Sequence, residues 1–537
     1  MVDATSASTV TPLPPDVAQL RDYLHRAADE GRLHDAIDVV IEAILKLRTD
    51  NADLARRLAS ALRQAFGRRS EKVDPNQLQL LLDALPPEQV EKALPESLRP
   101  KPTVVAPPKQ KPRPAPHGRK PLPAHLPRVP EVSALPEKDK HCDKCGRDKA
   151  IIGYETSEVL DWEPGHFLVR LIQREKGACP HCRNGVVTAP QPDKLVERGR
   201  VGAGLLADIL VNKFQDHCPL NRMVDIYKRH GVKLNSSTLA DWVAAGADAF
   251  AMVYQAMVKC VTTAYLVGTD DTGLPVLDSE HPNGVKLGHL WAYVADGKLV
   301  VFDYTPDRKM AGPRTFLEKR TGKIQCDGYQ GYARIAKDSD GKVVRAGCWA
   351  HARRKFVEAM EAGDARAAIA VSFIASLYNV ERDATSAGLG PDERAVQRQA
   401  VAAPVMKKLH EWLLASVMDA PPKTPLGIAI NYTLNQWDSL QVYLTDGLVP
   451  IDNNGVERAI RPVAVGRGNY LFAGSDNGAK RAAVLYSILG TCRLVGVDPY
   501  TYVRDVLIKI SKGWPQERIG ELLPGAWAAT HPPVGPT

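Results

Sequence analysis

The sequence predicts a multidomain α/β protein, and three observations carry this prediction. The chain has 537 residues, which is too many for one ordinary hydrophobic core. Strand-like segments alternate with helical ones between residues 264 and 360, whereas mostly helical stretches lie on both sides. Two CxxC pairs precede these segments, and paired CxxC motifs in an intracellular chain favour a metal site over disulfide bonds.

The composition is that of an ordinary soluble protein, with 44% hydrophobic and 25% charged residues. The net charge of +8 suits a polyanionic partner without establishing one. No stretch of about 18 apolar residues predicts a membrane span. The N-terminus lacks the basic start and apolar segment of a secretion signal. We therefore expect a cytoplasmic, nucleoid-associated protein without a membrane partner.

A seven-residue apolar repeat follows a Ser-, Thr- and Pro-containing N-terminus, residues 1–32, which we expect to be flexible. The two seam positions of the repeat hold Leu33, Val40, Leu47 and Leu54, and Ile37, Ile44, Asn51 and Leu58. A polar Asn51 at a seam position is typical of coiled coils, where it fixes the register of the strands. An amphipathic helix packed on its own domain explains the pattern equally well. Of these two interpretations of the repeat, the coiled coil predicts a homo-oligomer and the packed helix does not.

The segment from residue 99 to residue 128 combines many prolines with eight lysine or arginine residues and no acid. Proline fixes φ and removes a hydrogen-bond donor, so this composition predicts an extended linker. Its positive charge suits a phosphate backbone. A solvated tether is an equally good interpretation, and both stay open.

Four cysteines form two CxxC pairs with 33 residues between them: Cys142, Cys145, Cys179 and Cys182. Each pair makes a tight turn that directs two thiolates at one tetrahedral ion. The intervening VLDWEPGHFLVRLIQREKGA is strand-like, as a zinc ribbon requires. Four thiolates leave no open position for water, so we expect one structural zinc ion and no catalysis at this site.

Residues 200–260 predict three helices, LLADILVNKFQ, PLNRMVDIYKRHG and SSTLADWVAAGADAFAMVYQAM, the last capped by Ser236 or Ser237. A helix, a Gly-containing turn and a Ser-capped helix resemble a helix-turn-helix. Pairs of helices are common, so a DNA-reading role for this region is one of two open interpretations.

Strands alternate with helices from residue 264 in the order β-β-β-α-β-α-β-α. Three antiparallel strands extended by parallel crossovers are the core of an RNase H-like fold. Residues 352–445 are mostly helical, and we expect them to be an insertion between the fifth strand and a final helix.

Three acids occupy matching places in this predicted core. Asp270 lies on the first, central strand, Asp327 ends the fourth strand, and Glu457 begins the helix after the insertion. Carboxylate oxygens are the ligands that magnesium prefers, and two such ions can activate an attacking oxygen and stabilise a leaving one. Each acid alone has another interpretation, as a strand-end acid, a turn cap or a helix-dipole acid. Their joint placement predicts a site for two magnesium or manganese ions.

Basic residues follow Glu457 closely, and we predict that they bind DNA: Arg458, Arg461, Arg467, Lys480 and Arg481. Cys348 and His351 form a CxxH after the fifth strand. Two ligands make an incomplete zinc site, so a buried cysteine beside a hydrogen-bonded histidine is the favoured interpretation of this pair.

The motifs TDDTGLPVLD, GHLWAYVAD, QCDGYQGYARI, CWAHARRKF and DNNGVERAIRPVAVGRGNYLFAGSDNGAKRAAVLYSIL resemble the IS-sixty-six insertion-sequence transposases of bacteria. So do FGRRSEKVDP, GRKPLPAHLPR, the paired CxxC and KFQDHCPLNRM. The resemblance implies a DDE transposase whose three acids fall on Asp270, Asp327 and Glu457. This chain has Asp271 where the family commonly has Glu. Neighbouring strand residues face opposite ways, so Asp271 should point away from metals held by Asp270.

The resulting expectation is a transposase that cleaves the ends of an insertion sequence and joins the 3′ hydroxyl ends to target DNA. Its partners are double-stranded DNA, both element ends and target, and a second copy of the chain, since two ends must be paired. The resemblance also suggests accessory proteins encoded by the same element. A nuclease without strand transfer and an inactive zinc-containing DNA-binding protein are the alternatives.

The predicted domains divide the chain without gaps. They are a flexible N-terminus (1–32), a helical or coiled-coil segment (33–85), a Pro-rich basic linker (86–137), a zinc ribbon (138–192), a helix-turn-helix-like region (193–260), the first part of the core (261–351), the helical insertion (352–445), the second part of the core with the catalytic helix (446–512) and a C-terminal tail (513–537).

Overall fold

The structure is a computed structural model that describes residues 17–47, 75–99, 165, 167–169, 176–177, 187–188 and 201–532. A five-stranded mixed sheet dominates these residues. Its strands run β3 (Leu266–Leu277), β4 (Val285–Ala295), β5 (Leu299–Thr305), β6 (Gly322–Gln325) and β7 (Val343–Ala346) in chain order. Two further short strands, β1 (Lys176–Gly177) and β2 (Val187–Thr188), pair antiparallel on either side of the second CxxC pair in sequence.

The strands of the large sheet lie in the order β5-β4-β3-β6-β7. β3, β4 and β5 form an antiparallel meander, whereas β6 and β7 pair parallel, β6 with β3 and β7 with β6. Each parallel strand requires a helical crossover, which explains the helices between them. The strand and helix order predicted for residues 264–360 is confirmed, and β3 is the central strand.

The described helices flank the sheet and build the rest of the chain. They are α1 (Val17–Asp29), α2 (33–47), α3 (Pro75–Asp83), α4 (Pro87–Ala93), α5 (Ala203–Phe214), α6 (Leu220–Arg229), α7 (Ser236–Ala249), α8 (Ala251–Thr263), α9 (Ala311–Leu317), α10 (Gln330–Asp338), α11 (Trp349–Glu361), α12 (Ala367–Ser386), α13 (Pro391–Gln397), α14 (Ala403–Ser416), α15 (Pro425–Asn435), α16 (Trp437–Gln441), α17 (Asn454–Tyr470), α18 (Asp476–Leu494), α19 (Pro499–Ser511) and α20 (Pro524–Thr530).

The outer edge of β5 is covered by side-chain hydroxyl groups of two helices. Ser487 on α18 accepts from the Phe302 amide at 2.8 Å, and Thr491 both accepts from the Val300 amide and donates to its carbonyl at 3.1 Å. Tyr254 on α8 donates to the Phe302 carbonyl at 2.8 Å. An edge strand with satisfied backbone groups offers no template for pairing with another chain. This end of the sheet is therefore closed.

The predicted helical insertion forms its own hydrophobic core from α11 to α16, and helices α3 and α4 pack on it through Leu78, Leu82, Val90 and Leu94. Inside this core Arg398 is 1% exposed. It forms a two-point ion pair with Glu381 at 2.7 Å and donates to the carbonyls of Tyr443, Asp446 and Val449 at 2.8 to 3.0 Å. The buried guanidinium thus fixes the segment that leads from the insertion to α17.

Four local expectations differ from the structure. The predicted linker from residue 86 contains α4, because Val90 and Leu94 gain a buried place against the insertion. The predicted C-terminal tail contains α20, which Trp527 anchors in the main core. The N-terminus expected to be flexible contains α1. The third helix predicted for residues 200–260 is divided at Phe250 into α7 and α8. Its N-cap residue is Asn235, which makes no side-chain cap bond, in place of the predicted serine.

Helix α2 carries the first half of the predicted coiled-coil seam, and its apolar side chains are exposed, with Ile37 at 39%, Ile44 at 51% and Leu47 at 61%. The second half of the seam lies outside the described residues, so self-association through it stays a prediction. None of the described helices combines the length and apolarity needed to cross a bilayer.

Candidate active site

Asp270 on β3 and Asp327, two residues beyond the end of β6, lie at the same level of the sheet. The parallel register pairs Gly268 of β3 with Gln325 of β6, so two residues further along each chain lead to Asp270 and Asp327. Adjacent strands are about 4.8 Å apart, which brings the two side chains close together at the carboxyl end of β6. The short β6 ends at Gln325, and the Asp327 carboxylate accepts the Tyr329 amide at 2.9 Å, as turn-forming aspartates do.

Helix α17 brings Glu457 to this place because its first turn packs directly on β3. A β-carbon added at Gly268 would lie 2.6 Å from Cγ2 of Val456 and 2.8 Å from Oδ1 of Asn453, so only glycine allows this approach. Asn453, 2% exposed, donates to the Thr269 carbonyl at 2.9 Å, next to Asp270. Gly268 and Asp270 share a face of the strand, so Asp270 faces α17.

The CxxH pair supports this junction. Cys348 is 2% exposed, and its Sγ accepts the backbone amide of Asn453 at 3.2 Å. Burial raises the pKa of the Cys348 thiol to about 12, so the thiol is protonated at neutral pH. His351 lies one helical turn further, with Nε2 3.9 Å from Oε1 of Glu457. The structure therefore supports the interpretation of Cys348 as a buried structural cysteine.

The electrostatics of the site centre on Asp270. Burial is the largest cause that raises the pKa of its carboxyl, to about 7 in all; the hydrogen bond from the Asp271 amide lowers the pKa, and the negative charges of Asp327, Asp271 and Glu457 add to the rise. The repulsion shows that the three predicted acids share one electrostatic environment. A carboxyl with this pKa is half protonated near neutral pH. A metal cation that binds among these acids would therefore displace the proton of Asp270.

Asp271 is turned to the opposite face of β3 and is neutralised there. Its carboxylate contacts Nδ1 of His289 at 2.7 Å and Nη2 of Arg308 at 2.8 Å, and its side chain is 8% exposed. The guanidinium of Arg308 also lies 5.3 Å from the ring centre of Tyr329, the residue whose amide donates to the Asp327 carboxylate. Asp271 is therefore held away from the face shared by Asp270 and α17, as the alternation of strand residues predicts.

Two basic side chains from α11 face Glu457. Nη2 of Arg354 is 3.4 Å from Oε1 of Glu457, and His351 approaches the same oxygen. Arg354, and likewise Arg308 and His289 beside Asp271, are not among the site residues expected from the sequence. The i, i+3 spacing of His351 and Arg354 in CWAHARRKF is a signal that both face one side of α11.

The helical insertion forms a wall beside Asp327. A β-carbon at Gly328 would lie 2.7 Å from the ring of Tyr432 on α15, so this loop and the insertion are in close contact. The negative charge of Asp327 contributes to the raised pKa of the Tyr432 hydroxyl, after burial. The site thus lies between the sheet, α17 and the insertion.

The five predicted DNA-binding residues differ in their surroundings. Arg458 and Arg461 are exposed on α17, and Lys480 is exposed on α18. Arg481 pairs with Asp248 at 3.2 Å on the surface. Arg467 points inward and donates to Thr272 Oγ1 at 2.9 Å and to the Gly273 carbonyl, which fastens α17 to β3. A DNA contact of Arg467 stays a prediction, with a structural role beside it.

Nowhere within the described ranges do three or more His, Cys, Asp or Glu side chains form a ready-made group able to hold a metal ion. Asp270, Asp327 and Glu457 are near one another but are not gathered into a ligand set, and Glu457 faces Arg354 instead. The four cysteines of the predicted zinc ribbon lie outside the described residues.

The mixed sheet carries one acid on β3 and a second just beyond the end of the neighbouring parallel strand β6, and a third acid lies on a helix packed against β3. With the helical insertion, these features define a multidomain α/β protein with a carboxylate-rich site. Comparison with protein families gives the particular group. The model described as Transposase IS66 family matches residues 198–481, more than half of the chain. The chain belongs to the Transposase IS66 family, which supports a transposase role.

Three further family models match on either side of this segment. The zinc-finger binding domain of transposase IS66 matches residues 139–183, which include all four cysteines of the CxxC pairs. A model described as Transposase C of IS166 homeodomain matches residues 53–130, and the IS66 C-terminal element matches residues 487–524. The resemblance inferred from the motifs is confirmed, and a zinc-finger domain precedes the transposase domain.

Similar full-length proteins occur in Sinorhizobium fredii. The uncharacterized protein y4qI is 33% identical over 541 residues, covering 96% of this chain and 98% of its own length. The uncharacterized protein y4jD is 34% identical over 422 residues, covering 76% of this chain and 82% of its own length. The similarity to y4qI therefore extends over nearly the whole of both chains.

Proposed function

We propose that the protein is a DDE transposase that cleaves the ends of an insertion sequence and joins the 3′ hydroxyl ends to target DNA. The observation that carries this proposal is the register of β3 and β6, by which Asp270 is level with Asp327 just beyond the end of β6, with Glu457 close enough to contribute to the raised pKa of Asp270. Family membership supports the same activity. The element order and mixed sheet support an RNase H-like core with a helical insertion.

Two magnesium or manganese ions are the cofactors that this function requires, and they would activate the attacking oxygen and stabilise the leaving oxygen of the phosphodiester. The donor chemistry fits them, because all three proposed ligands are hard carboxylate oxygens, and the charges of Asp327 and Glu457 add to the effect of burial in raising the pKa of Asp270. Asp270, Asp327 and Glu457 would hold the ions once Glu457 turns from Arg354 towards the strands.

The reaction has two steps that the acids serve in the same positions. A water oxygen first bonds to phosphorus at the element end, the bond from phosphorus to the 3′ oxygen breaks, and the leaving oxygen takes up a proton. The resulting 3′ hydroxyl then loses its proton and bonds to a phosphorus of the target strand, whose own 3′ oxygen leaves. No covalent intermediate with the protein forms. Arg354, one turn along α11 from His351, is placed to neutralise charge beside Glu457.

DNA binding is assigned to several parts of the chain. Cys142, Cys145, Cys179 and Cys182 would hold one structural zinc ion in a ribbon that binds element ends together with the helical region after it and the basic linker. Exposed Arg458, Arg461 and Lys480 would contact phosphates near the site. Pairing two ends requires a homo-oligomer, with the exposed apolar side of α2 as the contact. Accessory proteins of the same element are further proposed partners.

Cleavage of end-labelled element-end DNA with magnesium tests the proposal. The Asp327→Ala variant should bind the DNA with unchanged affinity and lose cleavage, because it removes a ligand without touching the DNA-binding surface. The matched control is Asp338→Ala, which removes an exposed acid of α10 that forms two surface ion pairs. This variant should cut normally. Equal cleavage by both variants would contradict the assignment.

Strand transfer separates the proposal from its alternatives. A pre-cut end with a free 3′ hydroxyl should be joined to target DNA by the wild-type protein. Cleavage without joining would identify a nuclease, and binding without either reaction would identify an inactive DNA-binding protein.

A further inference from the structure

The solvent side of α17 carries a stripe that begins beside the proposed active site. Arg458, Arg461, Val465 and Asn469 are exposed and recur every three or four residues, so they lie on one side of the helix. The stripe ends in two large apolar side chains after the helix, Leu471 at 63% and Phe472 at 42% exposed. Adjacent exposed apolar residues at a fixed distance from a catalytic site require an explanation.

Leu471 adopts a backbone conformation that leucine ordinarily avoids. Its φ is +67°, in the left-handed region that favours glycine. The other described non-glycine residues with positive φ are a histidine and two aspartates, which are polar types that tolerate it. Glycine occupies ten further positive-φ positions in the described residues, so the sequence uses it freely elsewhere. A strained, exposed leucine indicates a role outside the folding of the chain.

The backbone around this pair is rigidly held. The Leu471 amide donates to the Arg467 carbonyl at 2.9 Å, and the Phe472 amide donates to the Tyr470 carbonyl at 2.8 Å. Ala473 then pairs with the far end of β3, beyond the residues that pair with β6. Its amide donates to the Pro275 carbonyl at 2.8 Å, and its carbonyl accepts from the Leu277 amide at 2.9 Å. Ser475 caps α18 immediately afterwards. The two side chains are therefore presented on a fixed turn between two helices.

Charge decides between the possible occupants. A second copy of the chain would have to place its own arginine stripe against Arg458 and Arg461, which like-charge repulsion disfavours. A polyanion suits the two arginines, and DNA also offers apolar base faces that leucine and phenylalanine can enter. Duplex DNA laid along the stripe satisfies both ends of it.

We propose that Leu471 and Phe472 form an apolar wedge that enters a base step of the bound DNA. The inference rests on the proposed function, since it places the scissile phosphate near Glu457. Phe472 is fifteen residues beyond Glu457, which at the helical rise corresponds to about 22 Å. At about 3.4 Å for each nucleotide, the wedge acts about six base pairs from the cut. Its role is to unstack the DNA there and bend it towards the site.

The test uses element-end duplexes in which one 2-aminopurine is moved across the eight base pairs beside the cleavage site. The protein carries Asp327→Ala in every sample, so that binding is measured without cutting. We expect emission to rise several-fold at one position near the sixth base pair. Adding Leu471→Gly and Phe472→Ala should abolish the rise. The control variant Met418→Ala removes an exposed apolar residue, 87% exposed, from the insertion and should leave the signal unchanged.

Thermal melting provides a second readout that a merely structural role would not give. Leu471→Gly should raise the melting temperature, because glycine relieves the positive-φ strain, while the same variant loses DNA distortion. A variant that melts lower, or that retains the emission rise, would overturn the wedge. So would a change of sedimentation to smaller assemblies with the emission intact, which would identify the pair as a protein contact. Failure of the proposed function appears separately, as absence of cleavage by the wild-type protein.

Discussion

Replacing Gly268 by alanine tests whether the contact between β3 and the first turn of α17 sets the geometry of the site. The added methyl group would lie 2.6 Å from Cγ2 of Val456 and 2.8 Å from Oδ1 of Asn453. Both neighbours are 2% exposed, so neither side chain can turn out into solvent. The helix that carries Glu457 must therefore move.

The size of the movement follows from ordinary contact distances. Carbon atoms approach comfortably to about 3.5 Å, so α17 must withdraw by about 1 Å at its first turn. Overpacking of this kind costs about 1 to 3 kcal/mol of folding stability. A displacement of about 1 Å in a catalytic group lowers the rate by about a hundredfold. We expect a folded protein of slightly lower stability with a cleavage rate reduced by about two orders of magnitude.

The measurement is single-turnover cleavage of element-end DNA with magnesium, beside urea unfolding of the same samples. Gly273→Ala is the matched control on the same strand. Its methyl group would meet only the side chain of Leu287, with Cδ1 nearest at 3.0 Å, and Leu287 is 60% exposed and can rotate away. The control should cut at the wild-type rate.

Two outcomes would refute this reasoning. Cleavage by Gly268→Ala at the wild-type rate would show that α17 need not touch β3 to place Glu457. An equal loss of rate in Gly273→Ala would show that the loss does not depend on the contact of Gly268 with Val456 and Asn453.

Three further predictions concern metal binding, the choice of acid and the insertion. Manganese should bind about tenfold more weakly at pH 6 than at pH 8, because the carboxyl of Asp270, with a pKa of about 7, must lose its proton to bind a cation. Calorimetry that shows a constant manganese affinity over this range would contradict the raised pKa of Asp270. Asp271→Asn should retain metal-dependent cleavage, whereas Asp327→Asn should lose it, and loss in both would reverse the assignment of Asp271. Arg398→Met should lower the free energy of unfolding in urea by about 3 kcal/mol, because it leaves the Glu381 carboxylate poorly compensated and three carbonyls without their donor. Adding Glu381→Leu should recover part of that loss. If Arg398→Met alone is as stable as wild type, the ion pair contributes nothing to stability.

The order of the core elements was accessible from sequence because hydrophobic periodicity is local. The alternation in AYLVGTDDTGLPVLD predicted β3, and the repeat of strands and helices after it predicted the mixed sheet. Boundaries were less accurate where packing decides them. The residues of α4 were predicted as linker, because the prolines are visible in the sequence and the buried places of Val90 and Leu94 are not.

The sequence by itself determined which residues are proposed to carry the chemistry. Asp270, Asp327 and Glu457 were selected from their places in the element order, and the cysteine pairs from their spacing, since both depend on neighbours along the chain. The sequence also placed Arg458 and Arg461 directly after Glu457.

Only the tertiary structure decided how these residues are held. The contact of Gly268 with α17, the bond from the Asn453 amide to Cys348, and the inward turn of Arg467 all join residues more than a hundred positions apart. Pairing of Asp271 with His289 and Arg308 likewise depends on adjacent strands and a loop. Such contacts arise from the packing of distant segments, and no periodicity or spacing along the chain encodes their partners.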